Sequence, residues 1–229
     1  MIDGSIWSFG GITMSALESK GILLISIVAD VLRLEKEGRI SREDLEEELC
    51  PDALKVLDTG VSPVSWYNPL VYRDLARVLM RLEGKGPRDM EYLRKRGERA
   101  GQRLLESGVY QQLDYLKRQV GSREKPDSRE SFEQSLRLIV SMPAGFMKGG
   151  KWAVEQDPDY PDRVQIALTG IDGLPEENAQ ATCGIFTGVS VAGGSRIAWR
   201  YEREGPNKIT YRMDKDISAL RFGSADDGD

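Results

Sequence analysis

The stretch KWAVEQDPDYPDRVQIALT, residues 151–169, decides how this chain folds. Trp152 and Val154 share one side of an alternating pattern. Val164, Ile166 and Leu168 repeat it, with Arg163, Gln165 and Ala167 on the other side. A period of two puts successive side chains on opposite faces of a strand. Between the runs, residues 157–162 (DPDYPD) supply the prolines and aspartates that a hairpin loop favours. Two antiparallel strands are therefore expected here.

Working outward, residues 175–191 read as one helix that Pro175 and Glu176 open and Gly193 and Gly194 end. Ala179, Cys183 and Phe186 form one stripe on it. Alternation then returns at Ile197, Trp199 and Tyr201. After a Gly205–Pro206–Asn207 turn it continues at Ile209, Tyr211 and Met213. The order of this half is β-β-α-β-β.

Upstream the period is helical. Leu24, Ile27, Val28, Val31 and Leu32 follow it from Lys20, and Gly38 ends the run. Ser41 opens SRED, the pattern of a capping box. Pro51 starts a short helix that Gly60 stops. Residues 61–69 form an ordered connector, and Asn68–Pro69 is an N-cap with proline in the first helical position. That helix runs to Gly84. Pro87 opens another, whose apolar and small positions include Met90, Leu93, Gly97, Ala100 and Gly101. Glycine inside a helix costs about 1 kcal/mol relative to alanine, which implies that another backbone comes close. Further helices are expected over 109–120 and 128–140, with a polar linker at 121–127. Residues 5–14 fit either a strand with a bulge or a flexible arm.

The fold class is α+β: a helical N-terminal half packed on a C-terminal antiparallel β-β-α-β-β sheet. Residues 1–19 are the arm or strand, and 20–214 a single domain with a helical half (20–143) and a sheet half (149–214). Residues 215–229 are a disordered acidic tail. One helix covers only part of one sheet face, so the N-terminal helices are expected to complete the core.

The chain has 229 residues, 40% of them hydrophobic, and not one histidine. That removes Ser-His-Asp and Cys-His catalysis, His-ligated haem and His-containing zinc sites. A net charge of −5 argues against sequence-independent nucleic-acid binding, which rests on neutralising phosphates. Cys50 and Cys183 make no disulfide framework, which points to a reducing, cytoplasmic compartment. No signal-peptide pattern is visible, and the apolar run 21–29 is too short to span a bilayer. No Walker, GxGxxG, CxxC or HExxH motif occurs, and the acids at 157–162 lack the spacing of an EF-hand.

Cys183, among Ala179, Ala181, Gly184 and Gly188, is either a thiol facing a ligand cavity or a small buried hydrophobe. Trp152, Trp199 and Tyr201 either line that cavity or fill a core. Gly184 and Gly188 are expected to pack closely on the sheet.

KGILL at 20–24, SWYNPLVYRDLARVL at 65–79 and GVYQQLDYL at 108–116, with GKW at 150–152 and TCGIFTGV at 182–189, resemble an uncharacterised bacterial, myxobacterial-type family. Its order of elements is similar to the 4-vinyl reductase domain and to the haem nitric-oxide-binding and small TRAPP-subunit folds. The resemblance implies a pocket for a small molecule or lipid between helices and sheet, or a partner surface, often in dimers. It also implies that Cys183 and its helix face the pocket. Strand cysteines and the proximal histidine of those folds are missing, so no metal or haem role carries over and no cofactor is expected. The reading is a non-enzymatic sensory or regulatory domain binding a small apolar ligand, with Cys183, Ala179, Phe186, Trp152, Trp199 and Tyr201 as pocket residues. The alternative is a protein–protein interaction module with a filled core.

Overall fold

The computed structural model describes residues 17–106, 145–192 and 197–217, together with Arg137. The expected elements over 5–14, 109–120 and 128–140 lie outside the described residues, apart from helical Arg137. The architecture is α+β, as the alternating and helical periods predict.

Strand β1 (Glu18–Lys20) and a single 3-10 turn (Gly21–Leu23) precede α1 (Ile25–Lys36). The helix therefore begins five residues later than the periodicity from Lys20 indicates. The cause is pairing: β1 lies between β2 (Trp66–Tyr67) and β3 (Met147–Lys148), with Lys20 opposite Trp66 and Ser19 opposite Met147. These strands are too short to show a period of two.

Helix α2 (Arg42–Glu48) starts at the expected capping box, in which Ser41 and Asp44 satisfy each other's backbone N–H. Helix α3 (Pro51–Thr59) ends at Gly60, whose φ of 80° is a conformation other residues rarely adopt. Helix α4 (Pro69–Glu83) is capped by Asn68, whose side-chain oxygen accepts the Leu70 N–H at 2.9 Å. Helix α5 (Met90–Glu106) begins beyond Pro87. Asp89 fixes that start, because its carboxylate accepts the Lys85 N–H at 2.8 Å and the Tyr92 N–H at 3.1 Å.

The second sheet holds β4 (Lys151–Gln156), β5 (Val164–Thr169), β6 (Trp199–Arg203) and β7 (Lys208–Met213), in the order β4-β5-β7-β6 and fully antiparallel. Between β5 and β6 the chain forms α6 (Glu176–Ala192), which lies on one face of this sheet. Packing continues past residue 214: Ile217 is buried, and its N–H donates to the Asp162 carbonyl at 2.8 Å.

Two apolar clusters result. One joins α6 to the sheet through Ile166, Leu168, Phe186, Trp199, Ile209 and Tyr211. The other joins α1 to α5 through Leu24, Ile27, Val31, Leu75, Leu79 and Leu93. The seam between the halves is α5 on α6. A Cβ added at Gly184 would stand 2.1 Å from the Arg94 carbonyl oxygen, and one at Gly188 2.0 Å from that of Glu98. From the other side, a Cβ at Gly101 would stand 2.4 Å from the Ile185 oxygen. Gly184 and Gly188 thus pack on α5 and not on the sheet as expected. They occupy a different side of α6 from Cys183, Ala179 and Phe186, which take the sheet side. The close approach required of Gly97 and Gly101 is present, and it brings Cα–H groups against carbonyl oxygens.

Candidate functional site

The register aligns one inward-facing row across the sheet: Val154, Ile166, Tyr211 and Tyr201 are successive partners. Beside it, Gln156 stands opposite Val164 and Trp199 opposite Met213, and the Val164 N–H donates to the Met213 sulfur at 3.4 Å. Helix α6 crosses these positions and sets Ala179, Cys183 and Phe186 over them. All six residues singled out in the sequence thereby meet in one aromatic cluster. Ala179, Cys183, Phe186 and Trp199 are buried in it, while Trp152 and Tyr201, on the two edge strands, are half-buried at its margin.

Tyr211, which sequence reasoning did not place in the site, is the centre of the cluster. Its ring centroid lies 5.2 Å from Phe186 in an edge-on contact, 6.1 Å from Trp152 in a stack, and 6.3 Å from Tyr201. Phe186 also meets Trp152 edge-on at 6.0 Å and Trp199 at 5.8 Å. Offset and edge-on geometries such as these are the favourable ones for aromatic rings.

A chain of hydrogen bonds fixes α6 on β6. The Cys183 thiol donates to the Trp199 carbonyl at 3.0 Å. The Thr187 hydroxyl accepts the Trp199 N–H at 3.1 Å and donates to the Cys183 carbonyl at 3.2 Å. The Trp199 indole N–H donates to the Ser190 hydroxyl at 2.9 Å. Burial pushes the Cys183 thiol up to about 12, against a weak opposing pull from Arg94. Burial and the bond to the Trp199 carbonyl both favour the thiol over the thiolate at neutral pH. Burial also raises Tyr201 and Tyr211, and the Glu176 carboxylate beside Tyr201 adds to its rise.

A second feature comes from residues that no sequence pattern links. An open groove of about 700 Å³ runs between α4 and the start of α6, lined among others by Arg73, Arg77, Arg88 and Glu177. Its charges are largely matched internally: Arg77 donates to buried Glu177 at 2.6 Å, and Arg73 to buried Asp74 at 2.7 Å. Among the described residues no group of three or more acids or cysteines is placed to hold a metal ion.

No protein-family model matches this sequence, and no curated protein does. Several solved structures resemble it. A "Cs" H-NOX mutant carrying 4-cyano-L-phenylalanine is 13% identical over 86% of this chain and 98% of that one, with a TM-score of 0.45. A mutant of the T. tengcongensis H-NOX is 13% identical over 86% of this chain and 99% of that one, with a TM-score of 0.46. A further structure, described as probing heme distortion in the H-NOX family, gives 13%, 86%, 96% and 0.46 in the same order. At these values nothing about ligand, activity or partner passes from those proteins to this chain. The comparisons bear on the haem nitric-oxide-binding part of the expected resemblance. They give no link to the myxobacterial-type family or the 4-vinyl reductase domain.

Haem does not fit the residues present. The chain has no histidine, and the buried Cys183 thiol is committed to the Trp199 carbonyl. The Tyr211 phenol is held far from its ionised form by burial.

Proposed function

We propose that this chain is a non-enzymatic regulatory domain whose aromatic cluster, between α6 and the four-stranded sheet, receives a small apolar molecule. The observation that supports it most directly is the convergence of Ala179, Cys183, Phe186, Trp152 and Tyr201 on Tyr211. Trp152 and Tyr201 are left half-buried where the cluster meets its surroundings. An aromatic interior bordered by the half-buried rings of Trp152 and Tyr201 suits a ligand with little polarity. The site lacks the pairing of an activated nucleophile with a base: its one thiol is protonated and its tyrosines are raised.

The test is native mass spectrometry of the purified full chain beside a thermal-shift screen of lipids and apolar metabolites. A bound mass, or a rise in melting temperature that Phe186→Ala abolishes, is expected. A clean apo mass with no shift across the screen ends this reading.

A second reading, a protein-interaction module or homodimer, is favoured by one specific observation. Val64, just before the short edge strand β2, and Trp66, within it, leave large apolar side chains 74% and 37% exposed. Among the described residues, no helix is long and apolar enough to cross a membrane.

A further inference from the structure

Most polar atoms of the aromatic cluster are satisfied inside it. The Trp199 indole has Ser190, and the Cys183 thiol has the Trp199 carbonyl. Two are not: the Trp152 indole N–H and the Tyr211 hydroxyl are shielded from solvent and reach no hydrogen-bond partner. Thr182 lies near the Tyr211 hydroxyl without attaining hydrogen-bond geometry. Both groups are donors, and they belong to two rings that stack with centroids 6.1 Å apart and planes inclined by 20°. Tyr211 is wholly buried, and Trp152 is at the half-buried margin. A buried donor without an acceptor is costly, and few are tolerated in a folded protein.

We infer that the molecule received here carries an oxygen acceptor, a carbonyl or ether, in an otherwise apolar body, and that Trp152 and Tyr211 donate to it. This rests on the reading of the cluster as a ligand site and names the chemistry that the site selects. A hydrocarbon of the same shape gains the aromatic contacts but leaves both donors unpaired. An anion is disfavoured, because the cations near the cluster are already paired, Arg203 with Glu176 and Arg94 with Glu91.

The experiment uses the full chain with ¹⁵N-labelled tryptophan indoles. It is titrated with two matched pairs of probes: acetophenone against ethylbenzene, and 2-decanone against undecane. In at least one pair the ketone is expected to bind about tenfold more tightly, the usual worth of a satisfied buried donor. The Trp152 indole signal is expected to move with it, while the Trp199 signal, already hydrogen-bonded to Ser190, stays. Trp152→Phe and Tyr211→Phe each keep the ring, and each is expected to shrink the preference for the ketone while leaving hydrocarbon binding in place. The wild-type indole signal decides the matter even if a variant fails to fold. Equal binding of ketone and hydrocarbon with a stationary Trp152 signal overturns the acceptor inference and leaves the ligand site standing. No binding by any probe, together with an empty thermal-shift screen, overturns both.

Discussion

A β-carbon at Gly97 on α5 would lie 2.1 Å from the carbonyl oxygen of Ala181 on α6. No rotamer relieves that contact, because the obstacle is backbone. The halves of the molecule are joined where side chains have been removed from between two helices.

Gly97→Ala and Gly184→Ala are therefore expected to destabilise the protein, although alanine is the better helix former. Forcing a methyl group into a packed seam costs about 2 kcal/mol, which for a chain of this size lowers the melting temperature by about 4–8 °C. Differential scanning calorimetry checks this; unchanged or raised melting temperatures would show that the seam yields.

Ser190→Ala removes the acceptor of the Trp199 indole N–H, a bond of 2.9 Å in the interior. The orphaned donor is expected to lower stability by about 1–3 kcal/mol. Urea unfolding with an unchanged m-value and a lower midpoint is the expected result. Identical midpoints would mean the indole finds another partner.

Cys183 is 1% exposed and its thiol is pushed up to about 12 by burial. At pH 8 the native protein is expected to alkylate at Cys183 only through unfolding, so its labelling rate should follow the unfolding equilibrium as urea is added. Mass mapping after iodoacetamide treatment separates it from half-buried Cys50. Rapid labelling of Cys183 in native buffer would contradict this placement.

Asp74 supplies a pH dependence whose sign is fixed. Burial works to raise its carboxyl, but the Arg73 guanidinium and the Cys50 thiol and N–H outweigh it and hold the carboxyl below the usual range. Its contribution is therefore full above the unfolded value of about 3.9 and is lost as pH falls through the lower folded value. Asp74→Asn is expected to be about 2 kcal/mol less stable at pH 7. That deficit should narrow below about pH 4. Stability curves of both proteins from pH 2 to 7 test it; a constant deficit would rule the linkage out.

Much of this was legible in the sequence because the controlling forces are local. Ser41 with Asp44, and Asn68 with Pro69, state their helix starts within four residues. The alternation of Trp152, Val154, Ile166 and Leu168 states which face turns inward. The hub position of Tyr211 was not legible. It depends on β7 lying beside β5, with the pair Ile166–Tyr211 separated in sequence by α6 and β6. The partner of Gly184 and Gly188 was hidden for the same reason: a small-residue stripe announces a close approach but not by what. Strands β1, β2 and β3 owe their existence to one another across most of the chain, and two or three residues carry no period.

The glycine seam has a mechanical meaning. At Gly97, Gly101, Gly184 and Gly188 backbone meets backbone between α5 and α6, with no side chain to absorb a displacement, so the pair is expected to move as a single lever. One arm rests on the rings of Phe186 and Tyr211. The other reaches α1, where Arg96 bonds the hydroxyl of Ser26 at 3.1 Å and pairs with Asp30. A molecule that lifts Trp152 and tilts α6 is therefore expected to shift Arg96 against α1.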